Sequence, residues 1–169
     1  MKHFTGAEAS NLERTVLTLF RDYLRQKLEA APWAEVFAPW GGVDVTFNNN
    51  DADLNFGSGM GSAIPFVFLS MTADPSTARR KTPGGSIEVG EGHDIEIVGE
   101  LVTSQWSGGD AAEQALRDAV YSIVRDGWSD FNALGLEQTR IKPGAGRDQS
   151  GDHINPHTVS LMAYTFPTL

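Results

Sequence analysis

The 169-residue chain contains no cysteine, which excludes a disulfide framework, a thiol nucleophile and a thiolate metal site. Stability must therefore come from packing or from association between chains. Positive charge is scarce, with 13 Lys and Arg against 22 Asp and Glu and a formal net charge of -9. A field of that sign repels nucleic acid and anionic membrane surfaces, which argues against general nucleic-acid binding. No apolar run approaches the length of a membrane span, and Met1–Gly6 leads into an amphipathic pattern instead of a signal-peptide core. A soluble protein with no signal peptide, no membrane anchor and no membrane partner is expected. Repeats, low-complexity tracts and linkers are also missing, and 40% hydrophobic content is enough for one core. Residues 1–169 are expected to form a single domain.

Two amphipathic segments are the clearest positive signals. Ser10 followed by Glu13 has capping-box spacing ahead of Leu12, Val16, Leu19, Phe20, Tyr23, Leu24 and Leu28, and Pro32 stops the pattern, which predicts a helix over about 10–30. Asp110 and Glu113 repeat the capping logic before Leu116, Ala119, Val120, Ile123 and Val124, with Gly127 placed to end the helix. Between them, Val43–Phe47 alternates as a half-buried strand, and Ile64–Met71 reads as a central strand entered at Pro65. A long strand pair is expected from Ser86–Val89 and His93–Gln105 around a Gly90-Glu91-Gly92 turn. In its second limb Ile95, Ile97 and Leu101 share one parity, while Asp94, Glu96 and Glu100 share the other. Leu136–Ile141 is a short strand, Lys142–Pro156 a breaker-rich loop, and Thr158–Phe166 a closing strand. The fold class is α+β: a mixed, mainly antiparallel sheet with two helices on one face and a long β-hairpin or arm.

Each pattern that suggests chemistry fails at a named residue. Asp51, Asp53 and Asn55 imitate the opening of an EF-hand loop, but its glycine and bidentate-glutamate positions hold Phe56 and Ser62. Gly57, Gly59 and Gly61 are followed by Pro65 and an apolar strand, not by the helix N-terminus that a phosphate cradle uses. His153 and His157, with Asp148 and Asp152 nearby, have metal-accepting chemistry, but Pro156 keeps them off a shared helix face and no general-base Glu separates them. Most of Asp44, Glu88, Glu91, Asp94, Glu96 and Glu100 are explained by alternation as the wet face of a sheet. No Gly-x-Ser-x-Gly elbow occurs. The expectation is a protein that is not an enzyme, with no catalytic, cofactor-binding or metal residues and no cofactor. Arg79, Arg80 and Lys81, clustered before Thr82-Pro83-Gly84-Gly85 in an acidic chain, are expected to form an exposed, mobile inter-subunit or partner arm.

The order of helix, two or three strands, long strand pair, second helix and closing strand resembles the tail terminator and tail-completion proteins of long-tailed phages, including the lambda-type minor tail protein U family. The likeness covers most of the chain and lies in length, element order and texture, with Ser10–Ala30 as the first helix and Tyr164-Thr165-Phe166 in the last strand. The chain departs from compact members by additions in Gly41–Ile64 and Lys142–His157. The resemblance implies a virion protein of the tail or neck, assembled in the host cytoplasm. Such a protein forms a homo-oligomeric ring, usually a hexamer, that ends tail polymerisation and joins tail to head. Its implied partners are the tail-tube protein and a head–tail connector or neck protein, with DNA passing through without specific binding. Two other readings compete: a small acidic binding protein of immunity or inhibitor type, and a metal-dependent hydrolase using Asp148, Asp152, His153 and His157.

Overall fold

A computed structural model describes residues 2–47 and 64–166. The alternation in β3 (Ile87–Ser104) organises everything else. Its odd-numbered residues Ile95, Ile97 and Leu101 are buried under helices, whereas Asp94 and Glu96 face outward. β3 pairs antiparallel with β2 (Phe66–Lys81) on one side and with β6 (Asp152–Thr165) on the other. β1 (Asp44–Thr46) adds in parallel to the start of β2, while β4 (Glu137–Pro143) and β5 (Arg147–Gln149) add antiparallel to β6. The sheet runs β1-β2-β3-β6-β4, with β5 beside β6. It is mixed and mainly antiparallel, as the alternating sequence implies.

One face of this sheet is covered. α2 (Leu12–Leu28) lays Val16, Leu17, Phe20 and Leu24 onto it, and α4 (Gly109–Asp126) adds Leu116, Ala119, Val120 and Ile123. They meet Val67, Leu69, Ile95, Ile97, Leu101, Val159 and Leu161 from the strands. Each of the Val, Leu, Ile and Phe side chains contributes about 1.5–3 kcal/mol when fully buried. Short helices α1 (Gly6–Ser10), α3 (Trp33–Phe37) and α5 (Trp128–Ala133) complete the layer. Phe131 of α5 stacks on Phe20 at 5.4 Å and lies 4.5 Å from Tyr23, whose hydroxyl donates to Asp130 at 2.8 Å. Burial first, and that hydrogen bond second, push the Tyr23 phenol up to about 12.

Several local expectations are corrected. The first helix does not begin at a Ser10 cap: Ser10 closes α1 and donates to the Gly6 carbonyl, and α2 starts after Asn11. No Asp110 capping box forms either; Gly108, at φ 104°, occupies the N-cap of α4, and Glu113 accepts from Asn155 instead. Gly90-Glu91-Gly92 is no turn, because β3 runs straight through it and the chain reverses at Thr82–Ser86. The glycine at 90 serves a close approach: a Cβ there would overlap the Thr165 carbonyl and the Phe166 ring. The strand expected at Ile64–Met71 is β2, which begins at Phe66, just after Pro65, between β1 and β3, but it continues ten residues further, to Lys81.

The expected 142–156 loop is largely strand, and Pro156 lies inside β6. Its carbonyl accepts the Gly144 N–H at 2.7 Å. A residue's N–H and C=O leave a strand on the same side, so the missing donor of Pro156 faces the gap between β4 and β5, where no ladder bond is lost.

The Phe20–Tyr23–Phe131 cluster separates packing from hydrogen bonding. Phe131→Ala should cost about 3–5 kcal/mol, and Tyr23→Phe, which keeps the ring contacts, about 1 kcal/mol, both measured by urea denaturation. Equal losses would contradict the assignment of the stabilisation to ring burial.

Candidate functional site

Arg79, Arg80 and Lys81 do not form a loop. They are the last residues of β2, opposite Val89, Glu88 and Ile87 of β3. Because β6 pairs with β3 only from Glu91 onward, the tip of this hairpin extends beyond its neighbour on that side. On the outer side of β2, β1 reaches only Phe66–Phe68 among the described residues.

Strand parity splits the basic trio between two faces. Arg80 points to the face that bears no helix among the described residues, the helix-free face, where its Nε meets Glu88 Oε2 at 2.6 Å and its guanidinium lies 4.2 Å from the Phe166 ring centroid. That side chain is an internal clamp, contrary to its expected place in a free arm. The His3 ring packs edge-on against Phe166 at 5.0 Å. Burial, then the Arg80 charge, hold the His3 imidazole below its usual value.

Arg79 and Lys81 lie on the opposite face, exposed and without an ion pair among the described residues. With them stand Ile87 and Val89, which are 69% and 56% exposed. This is the face that the helices cover elsewhere, so apolar residues of β3 resume on it beyond Glu91 and His93, past the end of the helical layer. A groove of about 580 Å³ between α1 and the hairpin, lined by Ala9, Ser10, Thr77, Val89 and Glu91, opens at that limit.

The helix-free face carries the opposite charge. Asp74 and Asp94 are directly opposed across β2 and β3, and Glu96 faces Thr72 one pair further along. All three are exposed and unpaired among the described residues. Like charges directly across a strand pair are destabilising. The other expected surface carboxylates are partly neutralised: Glu100 meets Arg147 at 3.1 Å and Asp44 meets Arg25 at 3.6 Å. Glu91 has the other parity, 3.5 Å from His93.

The expected metal-hydrolase quartet is divided. Asp148 and His153 are opposed across β5 and β6 and hydrogen-bonded to each other. Asp152 has the opposite parity to His153, and His157, four residues on in an extended strand, is about 13 Å away. A single ion therefore does not take both histidines. The structure instead brings Asp110 and Glu113 to His153, a grouping that no sequence spacing signalled. His157 is buried, with no hydrogen-bond partner for Nδ1 among the described residues. The EF-hand-like Asp51–Asn55 pattern and the Gly57–Gly61 loop lie outside the described residues. Among the described residues no helix is long and apolar enough to cross a membrane.

No protein-family model matches the chain, and no curated protein sequence matches it. Among solved structures, a chain of "Virion of native gene transfer agent (GTA) particle" aligns over 85% of this chain and 93% of its own. The identity is 16% and the TM-score 0.39. At those values the match bears on neither mechanism nor partner.

Burial holds the His157 imidazole below its usual value; the Pro156 backbone opposes it, and the Arg117 charge, a smaller influence, acts with burial. Unfolding restores a value of about 6.5, so the unfolded chain binds more protons on acidification. Stability is then full above that value and falls as pH drops below it. His157→Leu should lose less stability than wild type when the pH is taken from about one unit above to one unit below 6.5, read as urea midpoints. Parallel losses in the two proteins would contradict a buried neutral His157.

Proposed function

We propose that the chain is a noncatalytic structural subunit of a phage tail, forming a ring that ends tail-tube polymerisation and joins tail to head. The observation that carries this reading is the separation of complementary surfaces on one subunit. The hairpin tip presents Arg79 and Lys81 with exposed Ile87 and Val89, while the helix-free sheet face presents Asp74, Asp94 and Glu96. Neither set is ion-paired among the described residues. A closed ring requires one surface of each subunit to fit a different surface of the next. The basic tip of one copy seated on the acidic sheet face of its neighbour meets that requirement and relieves the Asp74–Asp94 repulsion. Element order supports assignment to the tail terminator class, and the net charge of -9 suits a bore through which DNA slides. A hexamer, the tail-tube protein and a neck protein as neighbours, and a virion location follow from that assignment.

Light scattering across a wide concentration range, with and without the tail-tube protein, checks this. Arg79→Glu with Lys81→Glu should block assembly, as should Asp74→Lys with Asp94→Lys, and the four changes together should restore it. A chain that stays monomeric throughout and binds no tail-tube protein sinks the ring. A one-to-one complex with a single basic protein would favour the inhibitor reading instead.

A further inference from the structure

At the end of the sheet opposite the hairpin tip, α4 begins over the β5–β6 corner. A side-chain oxygen of Asp110, one of Glu113 and a ring nitrogen of His153 lie within 4.8 Å of one another. Each of two of these groups is held by a further residue. Asp148 hydrogen-bonds His153 Nδ1, and the buried Asn155 donates Nδ2 to Glu113 Oε1 at 3.0 Å. Thr103 stands directly across from His153 in the β3–β6 register, hence on the same face. It is 1% exposed, and its hydroxyl has no hydrogen-bond partner among the described residues. A buried unsatisfied hydroxyl calls for an explanation.

We propose that Asp110, Glu113 and His153 bind a divalent transition-metal cation of the zinc or manganese class. Asp148 and Asn155 orient the histidine and glutamate, and Thr103 hydrogen-bonds a metal-bound water. A mixed imidazole and carboxylate set suits these cations, whereas calcium and magnesium prefer oxygen alone. Three protein ligands leave at least one position for water. Ligating histidines commonly pass their other ring nitrogen to a carboxylate, and ligating carboxylates are themselves hydrogen-bonded, as His153 and Glu113 are here. An ordinary hydrogen bond accounts for the His153–Asp148 pair but not for the orphaned Thr103 hydroxyl. The ligands come from α4 and β6, so the cation staples the helix layer to the sheet at this corner.

Isothermal titration with zinc chloride and, separately, manganese chloride decides the matter. The full chain is used after removal of its affinity tag, with native mass spectrometry for stoichiometry and thermal unfolding as a second readout. One ion per chain and a raised Tm are expected. His153→Gln should abolish stoichiometric binding, and Asp148→Asn should weaken it about 10–100-fold. Thr103→Val should weaken it with an unchanged circular dichroism spectrum. The site is refuted if wild type binds neither ion stoichiometrically, or if His153→Gln binds as wild type does. Saturation by calcium chloride with no response to zinc or manganese would also overturn it.

Discussion

The register between β3 and its two neighbours is the constraint on which the rest depends. β3 is 18 residues long and alternates buried apolar with exposed acidic residues through Asp94–Ile97, so a slip of one residue would turn Ile95, Ile97 and Leu101 to water and Asp94 and Glu96 into the core. That same parity decides which charges meet solvent at the hairpin tip and which side chains stand beneath α4. The basic tip, the acidic face and the His153 corner are consequences of one alternation read along a single strand. None could be shifted without dismantling the core.

The elements whose signal was periodic were legible before any coordinates. Both long helices show their apolar stripes in sequence because 3.6-residue spacing is a property of the segment itself, and β3's two faces were legible for the same reason. Capping was less legible. Ser10 and Glu113 have the right chemistry for helix starts, but Ser10 satisfies a carbonyl behind it, and Asn155, 42 residues away in sequence, takes Glu113. Glycine was ambiguous in a deeper way. Gly90 and Gly92 look like turn residues, but Gly90 makes room for the Thr165 carbonyl and the Phe166 ring, and Gly92 lies against the Tyr164 ring. Turn chemistry and close approach use the same residue, and only the partner strand separates them.

The site was legible as composition and not as geometry. The Arg79–Lys81 cluster stands out in an acidic chain, but its assignment to a loop hid the parity that sends Arg80 to one face and its neighbours to the other. Likewise, His153 and His157 attract notice by their spacing, whereas the strand holds them apart and α4 supplies His153 with acidic neighbours from the middle of the chain. Nonlocal clusters of this kind have no short-range signature. They follow from which helix lies over which strand.

The Arg80–Phe166 contact ties distant stretches of chain together. Phe166 donates its backbone N–H to Phe4, Phe4 donates to Tyr164, and the Phe166 ring meets Arg80, which in turn pairs with Glu88 at the hairpin. The beginning of the chain, the end of its last strand and the projecting tip are therefore coupled mechanically. The antiparallel bonds run across the strands, so a force drawn along the hairpin is shared by many of them at once instead of opening one after another. In an object whose neighbours pull on it, such a joint transmits load from the tip into the centre of the sheet.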